Sequence, residues 1–268
     1  MKRAQFSRIC TIGLPCVSYV IPMRQLLLIL AACTQGLFAQ SAMDDLQPPR
    51  AAGCAAKHLQ ISRSQPASVA DPSVDATYYR LVLRLDIPSS ILHGVVTLQA
   101  RVAADSTRDL MLDLSQSMKL DSAQMNGQRL VATRFPQSLT LTLPRTYRTG
   151  EMITVEIAYH GTPSPTGFGS FYFGTYSGSP WIWSLSQPYG ARDWWPCRDH
   201  PLDKADSVDI LVTCPTGLHV GSNGKLMEVH DNGDGTSTHF WSERYPIATY
   251  LVSIAVCNYA VFSNWYAY

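Results

Sequence analysis

The densest collection of chemically capable side chains lies in residues 181–201, WIWSLSQPYGARDWWPCRDHP, where four tryptophans, three prolines and four charged groups share 21 positions. Such a composition does not suit a solvated loop, because each indole buries on the order of 200 Å² and its N–H then needs an acceptor. The segment is therefore expected to be rigid and packed. Within it, Gln187 carries an amide able to contact a ligand, although a polar residue before Pro188 can equally satisfy loop backbone. Arg192 lies amid the aromatic residues and requires a carboxylate, since an unpaired buried guanidinium is very costly; Asp193, Asp199 and Asp203 are the candidates.

Other constellations carry less. The histidines are His58, His93, His160, His200, His219, His230 and His239, and no two are four residues apart, so the zinc-binding pattern His-Glu-x-x-His is absent. Ser186 and Ser253 lack the Gly-x-Ser-x-Gly setting of a nucleophile elbow. Residues 167–174 bear glycine but interleave it with Phe168, Phe171, Tyr172 and Phe173, which suits an aromatic hairpin better than a phosphate cradle. The run Asp231, Asn232, Gly233, Asp234, Gly235 lacks the alternating carboxylates and distal Glu of a calcium loop and reads as a hairpin tip. Asp199 and Asp203 stand beside Arg198 and Lys204, where ordinary ion pairing is the simplest use.

The elements that must position these residues are strands. Tyr79, Leu81, Leu83, Leu85 and Ile87 alternate with polar residues, the signature of a half-buried strand. The same period recurs in Val96, Leu98, Ala100 and Val102, in Leu110, Leu112 and Leu114, in Leu139, Leu141 and Leu143, and in Ile153, Val155, Ile157 and Tyr159. Turn residues separate the runs at Asn126-Gly127, Thr149-Gly150 and residues 161–165. Val208, Ile210 and Val212 form another stripe, residues 239–242 one more, and residues 250–256 a nearly unbroken apolar run expected to be a strand covered on both faces. No helical stripe intervenes. The expected fold is all-β and mostly antiparallel.

Composition bounds the function. The chain has 268 residues, 21 Lys+Arg against 20 Asp+Glu, and 15% charged residues, so there is no basic excess for nucleic acid and too little charge for disorder. Arg24 followed by the apolar run at residues 26–32 and small residues to Ala39 fits a secretory signal, too short to span a bilayer, with Met23 as a second candidate start. Residues 30–33, LAAC, also fit a lipoprotein box that would anchor Cys33 to a membrane. The expected organisation is a leader at 1–39, a Pro-rich linker at 40–75, a β domain at 76–262 and a continuation at 263–268. Either leader reading exports the body. Cys54, Cys197, Cys214 and Cys257 then leave up to two disulfides open, beside the alternative of buried apolar thiols.

Residues 184–192, SLSQPYGAR, followed by Pro196, Cys197, Arg198, Asp199, His200 and Pro201, resemble the N-terminal β domain of the M1 (gluzincin) zinc aminopeptidases, whose segment reads T-Q-x-E/Q-P-x-x-A-R-x-x-x-P-C-x-D-x-P. Lys204-Ala205, residues 208–211, the Val-Gly-Ser-Asn-Gly block at 220–224 and residues 250–255 continue the similarity. The resemblance implies a saddle-shaped β domain covering one side of a peptidase cleft, with Gln187 contacting the free amino group of a peptide. It implies a scaffold role for Arg192, Pro196, Cys197 and Asp199. Leu185 stands where many members have Gln, which removes one amine contact.

The family's catalytic zinc motif and its Gly-x-Met-Glu-Asn loop are missing from this chain. The chain is thus expected to bind no catalytic zinc, to carry no catalytic residue and to be inactive alone, with zinc held by a catalytic domain in a longer enzyme. The expected partners are that domain and a peptide amino terminus. A second expectation, from residues alone, is a secreted β-sandwich module whose Trp181, Trp183, Trp194 and Trp195 form an exposed platform for carbohydrate or protein.

Overall fold

Alternating apolar residues build strands, and the strands of this chain assemble into an all-β body. The computed structural model describes residues 3–10, 71–164 and 169–267; the rest of the expected leader with Cys33, the linker up to residue 70, and Cys54 lie outside the described residues. The largest sheet has eight strands in the order Lys225–Asp231, Thr236–Glu243, Ser207–Pro215, Val74–Asp86, Ile91–Val102, Met152–Gly161, Met118–Met125 and Gln128–Arg129. A four-stranded sheet joins Ser170–Tyr176, Ser179–Leu185, Ile254–Cys257 and His219–Ser222, and a three-stranded sheet joins Ser106–Asp113, Ser138–Arg148 and Val131–Arg134. Two small pairs complete the set, Lys204–Ala205 with Ile247–Ala248 and Arg3–Cys10 with Ala260–Ala267.

The larger sheets each bury a stripe of inward residues. In Val74–Asp86 the buried set changes phase, from Val74 and Ala76 to Tyr79, Leu81, Leu83 and Leu85, because a bulge between Ala76 and Tyr78 inserts Thr77. The inward residues of Ile91–Val102, Met152–Gly161, Ser106–Asp113 and Ser138–Arg148 join the same continuous core. Tyr159 lies across Gly94 on the neighbouring strand, so closely that a Cβ there would meet the phenol ring at 2.3 Å. Only glycine leaves room for that ring.

The strand pairs described are antiparallel as expected, save one: the central pairing of Val74–Asp86 with Ser207–Pro215 is parallel. Two expectations need correction. The apolar run at 250–256 is not one strand: Thr249–Leu251 forms a 3-10 turn with Leu251 exposed, and only Ile254–Cys257 extends as strand. Among the expected turns, Gly161 is the last residue of a strand. Asn126 and Gly127, by contrast, take φ of 51° and 76°, the left-handed pair that a tight hairpin requires.

Candidate functional site

The strand Ser179–Leu185, an inner strand of the four-stranded sheet, ends at Leu185, and the chain turns through residues 187–190 into the 3-10 helix Ala191–Asp193. Gln187 and Pro188 are exposed on this turn and the peptide between them is cis. Residues 191–199 that follow are all buried, including Arg192, Pro196, Cys197 and Asp199. The turn is thus a protruding knuckle on a buried base.

Hydrogen bonds tie the knuckle down on both sides. Gly190 donates its N–H to the Ser186 carbonyl at 2.7 Å, and the buried Ser186 hydroxyl accepts the Trp194 indole N–H at 2.9 Å. Gly190 has no space for a side chain, since a Cβ would meet the Ser170 hydroxyl at 2.6 Å. The Ser170 hydroxyl donates to Asp193. Trp194 packs against Phe171 and Trp195, and Trp195 meets Tyr79 edge to face at 5.0 Å. The Tyr79 hydroxyl accepts the Arg198 backbone N–H at 3.1 Å, which couples the base to the eight-stranded sheet. The Trp195 indole N–H has no acceptor among the described residues.

Of the carboxylates the sequence offers to Arg192, Asp199 is the one it uses, at 3.0 Å from Nε. Asp203 serves Arg198 instead, and Asp193 takes Ser170. A residue that sequence reasoning missed completes the group: Asp113 lies 3.7 Å from the Arg192 guanidinium and accepts the Asp199 N–H at 2.9 Å. Its backbone also exchanges two hydrogen bonds with Cys197, at 2.7 and 3.1 Å, an isolated bridge that stitches the base to the three-stranded sheet. The neighbouring Ser115 N–H donates to the Arg192 carbonyl, and the loop bearing it is held by Arg134, whose guanidinium donates to the carbonyls of Leu114, Ser115 and Met118.

The electrostatics follow from burial. Desolvation raises the Asp199 carboxyl to about 6 despite Arg192, and Asp113, which shares that guanidinium, pushes the same way. Burial pushes the Cys197 thiol well up, aided by the charges of Asp199 and Asp113, so it is no nucleophile. Cys197, Cys214 and Cys257 are all free and buried, and the disulfide option among these three is set aside. The base is packed and hydrogen-bonded, and the turn that precedes it leaves Gln187 exposed.

The remaining candidates resolve simply. Asp231 and Asp234 spend carboxylate oxygens on the Gly233 and Thr236 N–H groups at 2.9 and 3.0 Å, which makes a hairpin tip. No group of three His, Cys, Asp or Glu side chains among the described residues is arranged to hold a metal ion, and the residues present do not fit a catalytic zinc. The four-tryptophan platform does not exist, because Trp194 and Trp195 are wholly buried. Trp181 and Trp183 are half-buried and pack with Tyr172.

Residues 75–251 match the family profile described as the peptidase M1 N-terminal domain. The chain is 27% identical over 215 residues to leucine aminopeptidase 2 of Vanderwaltozyma polyspora, a match covering 74% of this chain and 32% of that protein. It resembles the crystal structure of an M1 zinc metallopeptidase from Deinococcus radiodurans with a TM-score of 0.63 and 30% identity, over 70% of this chain and 43% of the other. A mutant of that peptidase bound to a Tyr-Ser-Ala substrate matches with a TM-score of 0.61 and 30% identity, over 69% of this chain and 42% of that one. The chain spans about a third of the length of the curated relative and under half of the solved structures.

Proposed function

Given that the chain belongs to the peptidase M1 N-terminal domain family, we propose that it is the substrate-lining domain of an exported zinc metalloaminopeptidase that removes N-terminal amino acids from peptides. The observation that carries this reading is the exposed Gln187 on a turn whose following residues, 191–199, are all buried. A side-chain carbonyl on a turn whose backbone is held in this way accepts from the ammonium of an incoming peptide and sets the position of its first peptide bond, which converts loose encounter into oriented binding. As a neutral amide it contributes direction with less long-range attraction than a carboxylate. Leu185 is exposed beside it and adds apolar surface rather than a second acceptor. Arg192, Asp199, Pro196 and Cys197 act through the turn, not on the peptide.

The zinc chemistry belongs to a catalytic portion beyond this chain, so the chain alone hydrolyses nothing. Export rests on the apolar run and small residues that precede residue 40. The reading is tested on the purified chain by following the Gln187 side-chain amide in NMR spectra during titration with leucyl-leucine amide and with its N-acetylated form. The free amine is expected to shift this resonance and the acetylated peptide is not. Equal responses, or none at any soluble concentration, reject the amine-anchoring role.

A further inference from the structure

On the solvent side of the eight-stranded sheet, Arg84, His93, His160 and Lys119 occupy matching register positions on four successive strands. The two imidazoles at the centre of this row lie with ring centroids 5.8 Å apart and planes inclined by 25°. His160 Nδ1 is 2.7 Å from Asp121 Oδ1. Asp121 is itself the extra residue of a bulge between Leu120 and Ser122, and bulges re-aim side chains that regular pairing would point elsewhere. The sheet has departed from regular pairing where a carboxylate meets this ring.

A neutral imidazole held by a carboxylate at Nδ1 places its proton there and leaves the Nε2 lone pair outward, the arrangement that orients metal-ligating histidines. Two imidazole nitrogens each about 2 Å from one ion put their ring centroids roughly 5–6.5 Å apart, and the pair already has that spacing. We propose that His93 and His160 form a two-histidine surface site for a borderline divalent transition-metal ion, with Asp121 orienting His160 from behind and water completing the coordination.

The donor atoms select the ion. Neutral nitrogen donors favour Ni²⁺, Cu²⁺ and Zn²⁺ over hard cations, which need carboxylate oxygens, while Arg84 and Lys119 lower the affinity for any divalent ion and hold it in the micromolar range or weaker. Asp234, whose carboxyl is held below its ordinary value chiefly by hydrogen bonds from Thr236 and only slightly by Arg84, offsets part of the Arg84 charge. The site uses residues apart from the Gln187 turn and does not depend on the peptidase reading.

The test uses the purified full chain with its accessible thiols alkylated, titrated with Ni²⁺ while the histidine ring protons are followed by NMR. The His93 and His160 resonances are expected to broaden first, at micromolar metal. His93→Ala and His160→Ala should each weaken binding at least about tenfold, and Asp121→Asn, which leaves both ligands in place, by about tenfold. His230→Ala should change nothing. Circular dichroism confirms that each variant is folded, with His160→Gln as a substitute should His160→Ala misfold. Broadening that begins at other histidines, or affinities in the His93 and His160 variants equal to the parent's, would overturn the site.

Discussion

Gln187 and Trp194 belong to one short segment, yet one side chain stands in water and the other is wholly enclosed. The turn around Gln187 is held at its ends, through Ser186 and Gly190, while Gln187 and Pro188 at its tip are exposed. The base at residues 191–199 is dense with ring contacts, a shared guanidinium and hydrogen bonds, and it touches three different sheets through Tyr79, Asp113 and Phe171. The lesson is a division of labour: the exposed residue proposed to meet a ligand carries little structural duty because the residues that follow it carry most of it. A ligand group held on a rigid support loses little entropy when it binds.

Substitutions should separate the two regions by the size of their effect. Trp194→Ala opens a cavity among Phe171, Trp195 and Ser186 and is expected to cost about 3–5 kcal/mol, read as a lowered urea midpoint. Next comes the shared charge. The folded state holds the Asp199 proton up to about 6, whereas an unfolded chain releases it near the ordinary value of 3.8. The stability linked to that proton is complete below the lower value and is lost as pH rises through the upper one. The loss is on the order of 2–3 kcal/mol between pH 4 and pH 6, and this component should vanish from the stability profile of Asp199→Asn. If wild type and Asp199→Asn follow parallel profiles, the base is wetter than its geometry says.

Ser186→Ala sharpens the boundary between knuckle and base. It strands the Trp194 indole N–H without an acceptor, which should cost about 1–2 kcal/mol in chemical denaturation. Gln187→Ala is the smallest change, within about 0.5 kcal/mol of the parent stability, while abolishing any distinction between free and acetylated peptides. A large stability loss at Gln187 would erase the contrast.

Much of this architecture is visible in residue order, and the exceptions have physical causes. Tyr79, Leu81, Leu83 and Leu85 declare their strand because one face is wet and the other dry, so burial imprints a period of two. Lys225–Asp231 leaves no such imprint, since it is exposed on both faces at the sheet edge. Residues 250–256 mislead for the opposite reason: an unbroken apolar run has no phase, and the 3-10 turn inside it is set by tertiary fit. The direction of pairing is likewise absent from a stripe, so the parallel contact of Val74–Asp86 with Ser207–Pro215 could not be read in advance. At the site, the packed character of residues 181–201 and the need of Arg192 for a carboxylate follow from composition. Asp113 does not, because its side chain reaches Arg192 only after two distant stretches of chain are brought together.

That parallel contact also constrains how the molecule comes into being. Residues such as Tyr79 and Val208 meet across an interval occupied by most of the other strands, so the middle of the broad sheet remains open on one flank until the second of these strands has been made. Closing so wide a chain interval is slow compared with forming local hairpins. During translation the early hairpin must wait with an unsatisfied edge for the ribosome to deliver its neighbour, an interval in which a chaperone has something to hold.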